Sequence, residues 1–217
     1  MRITIHFDYA CPYCYIGTHK LKRMLTDCKA MEKASFKLKA FRLNREGTDF
    51  SQNEKCGQYY QKKYSLTNEQ AQAEFEKLNH IAAKEGLEIH YPTAPVIDTT
   101  TPIRVTKYAL EKLGGEGALV LAEVLFRAYQ VYNMDISNPE ILIGFAVNAG
   151  LDAEGVKQVI ESDEYGPEVL MDEMKAGLLD IHVIPDVTFN DKYHLKGIRP
   201  DNEVRDLVMK VLSEDRI

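Results

Sequence analysis

Four cysteines occur in the 217 residues, and two of them, Cys11 and Cys14, are separated only by Pro12 and Tyr13. A thiol is a weak nucleophile and a thiolate a strong one. A Cys-x-x-Cys at the start of a helix lowers a cysteine pKa from about 8.5 into the range of roughly 3.5–7.5. The orphan N–H groups and the positive dipole end of the first helical turn stabilise the anion. Cys11 falls at the expected N-cap. Pro12 follows at the first helical position, where its missing N–H is harmless. Cys14 lies one turn on, within reach for a disulfide. This spacing suits thiol–disulfide exchange: Cys11 attacks a substrate disulfide, and Cys14 resolves the mixed disulfide.

Two rival readings of the pair are half of a zinc site and two plain structural cysteines. Zinc needs four ligands. Cys28 and Cys56 form no second Cys-x-x-Cys or Cys-x-x-His. Cys28 falls on the apolar face of the first helix and reads as a small buried hydrophobe. No metal is expected.

The elements around the pair follow from periodicity. Ile3, Ile5 and Phe7 alternate with Thr4 and His6, a strand with two faces. After the cysteines, Cys14, Gly17, Leu21, Met24, Leu25 and Cys28 share one helical face. Residues 36–43 alternate again and predict a second strand. A strand–helix–strand unit of this length predicts a right-handed parallel crossover. From 47 to 178 helix signals replace strand signals. They are a capping box at Thr67–Gln70, Gly86 as a stop, Thr101-Pro102, Gly114-Gly115, Asn138-Pro139, Gly150, Asp152 and Gly166-Pro167. Residues 187–190 and 193–196 then predict a hairpin around Asp191-Lys192. Asp201 caps a last helix with Val204, Leu207, Val208 and Val211 inside. The fold class is α/β: βαβ, a large all-α insertion, then ββα. We divide it into 1–46 plus 179–217 and a helical insertion at 47–178. Ile184-Pro185 directly precedes the third strand, where proline is tolerated. A cis bond there would turn the backbone towards the cysteines, but the sequence leaves the isomer open.

Net charge is −6, and no basic stripe is interleaved with aromatics, which excludes nucleic acid as the expected partner. No run approaches the roughly 18 apolar residues of a membrane span. Asp8 ends the apolar character before a signal-peptide core forms. With Met1 as the natural start, the expected location is cytoplasmic, where permanent disulfides are rare.

Cys11-Pro12-Tyr13-Cys14-Tyr15-Ile16-Gly17 resembles the Cys-Pro-Trp-Cys-Tyr-Ile-Gly segment of FrnE-like members of the DsbA family. Phe41-Arg42-Leu43-Asn44, Leu125–Tyr129, Asp135–Pro139, Ala149–Asp152 and Ile184-Pro185 with Phe189, Tyr193 and Gly197 match that family in the same order. The resemblance implies a thioredoxin-like fold, a cis Pro185 that presents the substrate backbone beside Cys11, and dithiol–disulfide oxidoreductase chemistry. Its relatives include a glutathione-dependent 2-hydroxychromene-2-carboxylate isomerase and kappa-class glutathione transferases, whose first cysteine position is commonly Ser. Both cysteines here favour redox chemistry.

The sequence departs from the family at Tyr13, which replaces Trp, at Asp186 after the proline, and at Gly197-Ile198-Arg199-Pro200. A carboxylate at 186 would disfavour an anionic ligand or raise a neighbouring thiol's pKa. Further supporting candidates are Ile184, Asp8 as proton relay or strand end, His182 near the proline, and Arg104 as contact to an acidic substrate or as a salt bridge. The expected partner is a disulfide or thiol, protein or glutathione-like. Glutathione enters as a co-substrate, and no cofactor is tightly bound. The oligomeric state is left open, a homodimer being one option. The rival functions are a glutathione-dependent isomerase or transferase on a small aromatic or polyketide-like molecule, and a non-catalytic binding protein.

Overall fold

The computed structural model describes residues 1–44, 49–50 and 54–215. The expected boundary at 46–47 lies outside them. β1 (Arg2–Phe7) leads into α1 (Pro12–Asp27), and β2 (Ser35–Ala40) returns parallel to β1 with Ile3 opposite Phe36 and Ile5 opposite Leu38. β3 (Asp186–Phe189) pairs antiparallel with the other edge of β1, and β4 (Tyr193–Lys196) pairs antiparallel with β3. The strand order is β2-β1-β3-β4. A final helix, α8 (Asp201–Glu214), packs against α1 and buries Val204, Val208, Val211 and Leu212. This is the expected thioredoxin-like layer.

Between β2 and β3 the described residues form six helices: α2 (Cys56–Lys63), α3 (Asn68–Lys84), α4 (Thr100–Gln130), α5 (Pro139–Asn148), α6 (Ala153–Glu161) and α7 (Gly166–Leu178). Thr67 and Gln70 close the capping box at α3, Asn138 caps α5 and Asp152 caps α6. The two helices expected around Gly114-Gly115 are both present within α4, divided at Gly114, whose φ of 71° glycine reaches without strain. Periodicity did not single out α2. One isolated bridge, Lys55 to Pro95, interrupts the helical character.

Three local expectations are corrected. β2 ends at Ala40, not 43, because side chains take the next backbone donors: Glu173 accepts from Arg42 N–H and Asp8 from Leu43 N–H. Asp201 is the first residue of α8 and not its cap; its carboxylate turns to Lys20 and Arg23. Cys28 is only half-buried, at the C-cap of α1.

β2 is an edge strand, and its outward backbone groups are covered by the insertion. Lys107 of α4 donates to Leu38 C=O, and Asp172 of α7 accepts from Ala40 N–H at 3.0 Å. Asp172 also binds Lys39 Nζ at 2.6 Å and pairs with Lys107. One carboxylate thus holds two lysines and a strand edge in a buried site.

His6 lies beside Lys39 and Asp186 in the strand register and is 4% exposed. Burial lowers its pKa, against the opposing pull of Asp186. The unfolded chain therefore takes up a proton near pH 6.5 that the folded chain refuses. This contribution to stability is complete above about pH 6.5 and is lost as pH falls through it. His6→Gln removes it, so the loss of Tm between pH 7.5 and pH 5 is smaller in the variant than in the natural protein. Equal slopes in thermal melts would contradict this.

Candidate active site

The turn between β1 and α1 is built by Asp8. Its two carboxylate oxygens accept from Ala10 N–H at 3.1 Å and Leu43 N–H at 2.6 Å, and its carbonyl accepts from Cys11 N–H at 3.1 Å. The strand end and the segment after β2 are thereby tied together. Asp8 is fully buried, and burial pushes its carboxyl up despite these donors. Tyr9 anchors the turn to the insertion: its carbonyl accepts from the Gln130 amide at 2.7 Å, and its hydroxyl meets Thr106 Oγ1 at 2.6 Å.

Cys11 is the N-cap of α1 with extended backbone and no side-chain cap bond, and Pro12 occupies the first helical position. Its sulfur is therefore not consumed in capping. It lies 3.8 Å from the carbonyl oxygen of Ile184, and the Ile184–Pro185 bond is cis. Residues 173 positions apart thus form one corner. Cys14 is fully buried behind Cys11, with its N–H on the Cys11 carbonyl at 3.0 Å. Burial, and then the neighbouring Cys11 thiol, push the Cys14 thiol well up. Both cysteines are free thiols.

A cavity of about 260 Å³ opens on Cys11 and not on Cys14. Pro12, Tyr13, His182 and Ile184 also line it, so four of the supporting candidates meet there. His182 is an exposed rim residue held by Asp180 at 2.7 Å. Two candidates are placed elsewhere. Asp186 is buried beside His194 and Thr188, its carboxylate 3.1 Å from His194 Nδ1, and does not line the cavity. Arg104 does not line the cavity, and among the described residues it forms no ion pair. Its guanidinium is buried against the carbonyls of Val159, Ser162 and Glu164, where it pins the end of α6.

The cavity's far wall was not legible in the sequence. Tyr59, Tyr60 and Tyr64 of the α2 region, Phe75 of α3 and Tyr91 supply it. The spacing of Tyr60 and Tyr64 by four is the one available signal, and it does not say what they face. Cys56 reaches the cavity too, but its sulfur sits 3.2 Å from Tyr129 Oη, and burial pushes its thiol up to about 11. A larger groove of about 860 Å³ runs between Tyr15, Lys22, Glu123 and Arg127 and contains neither cysteine. Among the described residues no group of three or more His, Cys, Asp or Glu could hold a metal ion.

A model of the DSBA-like thioredoxin domain matches residues 2–207. The chain belongs to the DSBA-like thioredoxin domain family. No curated protein matches it. Among solved structures, this DSBA-like domain is similar to a probable DsbA oxidoreductase from Streptomyces coelicolor, with 26% identity, 99% and 91% of the two chains covered and TM-score 0.87. A 2-hydroxychromene-2-carboxylate isomerase shares the fold at 13% identity, TM-score 0.67, with 100% and 97% covered. So does the cytosolic disulfide reductase DsbM of Pseudomonas aeruginosa, solved with GSH, at 15% identity, TM-score 0.65 and full coverage of both chains.

The approach of α1 to the Pro185 segment in this DSBA-like domain depends on Gly17. A Cβ there would stand 2.6 Å from Pro185 Cγ and 3.3 Å from Ile198 Cδ1. The proline ring is rigid and cannot swing aside. Gly17→Ala adds helix propensity but overpacks the contact, with an expected net loss of about 1–2 kcal/mol. The shift would also move Ile184 relative to Cys11, so disulfide exchange should slow several-fold. Denaturant midpoints and exchange rates check this; a variant as stable and as fast as the natural protein would contradict it.

Proposed function

We propose that the protein is a thiol–disulfide oxidoreductase working through the dithiol Cys11-Pro12-Tyr13-Cys14. The observation that carries this reading is the position of the Cys11 sulfur. It alone of the pair faces the cavity, next to the Ile184 carbonyl and the cis Pro185. In the reaction the Cys11 thiolate attacks one sulfur of a substrate disulfide. A Cys11–substrate disulfide forms, and the first substrate thiolate leaves and takes a proton from water. Cys14 then gives up its proton and attacks the Cys11 sulfur. The Cys11–Cys14 disulfide forms as the second thiolate leaves. Two electrons pass from the protein dithiol to the substrate; run backwards, the same steps oxidise a substrate dithiol.

Asp8 is the group we assign to accept the Cys14 proton. Its backbone N–H meets the Cys14 sulfur, its carboxylate is buried close by, and burial raises that carboxyl. Pro185 and Ile184 present backbone to an extended substrate. Glutathione from solution serves as co-substrate thiol, with no tightly bound cofactor. A cytoplasmic setting suits four free cysteines. The isomerase reading is second: it needs no resolving thiol, and the buried Cys14 directly behind Cys11 speaks for exchange.

The test is a single turnover. Pre-reduced protein is mixed with one equivalent of glutathione disulfide, and thiols and protein mass are followed. Loss of two hydrogens from the protein mass and release of two equivalents of glutathione are expected. A protein that stays reduced over hours would sink the assignment.

A further inference from the structure

The cavity beside Cys11 is furnished for more than a sulfur. Tyr60, Phe75 and Tyr91 stand in a ring cluster with centroids 5.6, 6.1 and 6.3 Å apart, and Tyr64 lies 4.6 Å from Tyr60. Distances of this size are those of attractive aromatic pairs. Tyr91 is 9% exposed, yet among the described residues its hydroxyl has no hydrogen-bond partner. The hydroxyl is not itself buried, so it is free to donate to a group in the cavity that Tyr91 lines. Burial pushes the Tyr91 phenol well up, so it remains protonated and a donor. Neighbouring Tyr13 and Tyr60 are likewise without hydrogen bonds among the described residues.

Among the described residues the charged groups at the cavity are sparse. Lys63 is turned to the Leu43 carbonyl at 3.2 Å, His182 is held by Asp180, and Glu74 is a carboxylate. The described lining therefore suits a neutral planar group with a hydrogen-bond acceptor beside the reacting sulfur.

We propose that this cavity is an aromatic subsite that selects thiols and disulfides bearing an uncharged aromatic group next to the reacting sulfur. The ring packs against the side of the Tyr60, Phe75 and Tyr91 cluster that lines the cavity, and the Tyr91 hydroxyl donates to an oxygen beside that ring. The proposal rests on the exchange reading and names the substrate class for it. Such a group could belong to a cysteine peptide with an aromatic neighbour or to a small aromatic thiol.

Symmetric disulfides with matched leaving thiols separate these cases. One pair is acetyl-tyrosyl-cysteine amide and acetyl-alanyl-cysteine amide. The other is N-(4-hydroxybenzoyl)cysteamine and N-acetylcysteamine. Pre-reduced protein is mixed with each, and the rate of Cys11–Cys14 disulfide formation is measured. At least one aromatic member should react about tenfold faster than its control, and the pair that shows the advantage identifies the source. Tyr91→Phe, which keeps the ring, should cut that ratio several-fold, and Phe75→Leu should cut it as well. Ratios taken within each variant cancel any general loss of activity. Ratios near one for both pairs in the natural protein overturn the aromatic subsite and leave the exchange reading standing. An advantage unchanged in both variants also overturns it. Failure of every disulfide to oxidise the protein removes the exchange reading itself.

Discussion

Cys11→Ser lowers disulfide exchange by about three orders of magnitude or more, because no other thiol can stand in for it. Serine offers no thiolate, and its oxygen does not form a disulfide. Cys14 is fully buried, and its thiol is pushed well up by that burial. The Cys56 thiol is pushed up to about 11 and held at Tyr129. Cys28 caps the far end of α1, a 16-residue helix and so about 24 Å along its axis. Cys14→Ser should behave differently. The first attack survives and resolution does not, so the protein retains one substrate thiol on Cys11, visible as an added mass that a reductant removes. A Cys11→Ser protein that exchanges within a few-fold of the natural rate would overturn the assignment of the nucleophile.

Asp172→Ala should destabilise the fold by about 3–5 kcal/mol, the range for breaking a buried ion pair from one side. The carboxylate is nearly inaccessible and serves Lys39, Lys107 and the Ala40 N–H together. Its loss strands the Lys107 ammonium, whose pKa burial already lowers. With its partner gone, Lys107 sheds its proton more readily. The deficit should therefore shrink as pH rises from 7 towards 9.5 and deepen as pH falls. Replacing both partners with apolar residues, as Asp172→Leu with Lys107→Met, should recover part of the loss. Urea midpoints at the two pH values measure this. A deficit below about 1 kcal/mol at pH 7 would show that water or rearranged side chains already serve these lysines.

The sheet and its two crossing segments were legible because they depend on local alternation. Ile3, Ile5 and Phe7 alternate on β1, and Asp191 turns the β3–β4 hairpin. Cys11 and Cys14 were legible because N-cap and first-turn positions follow from Pro12 and the helix behind it. The cavity's aromatic wall was not, since nothing local says that α2 and Tyr91 fold back over residue 11. Arg104 misled for the same reason. Arginine in a helix reads as surface charge, whereas here three carbonyls at the end of α6 enclose it. Asp186 looked like a charge beside the cysteines by its position after Pro185, but the strand's alternation turns it to His194.

The coverage of β2 bears on how this chain behaves at high concentration. A bare strand edge is a template on which another molecule can add a strand. The sheet has two edges, and each is closed by a different means. β4 is four residues long, ends on Lys196 and follows Lys192 in the turn, too short and too charged to recruit a neighbour. β2 is six residues long and alternates cleanly, so its protection rests on α4 and α7. Any change that lifts α7 would uncover an aggregation-prone ribbon. The insertion is thus also a cover for the sheet edge, and turbidity would report its loosening there.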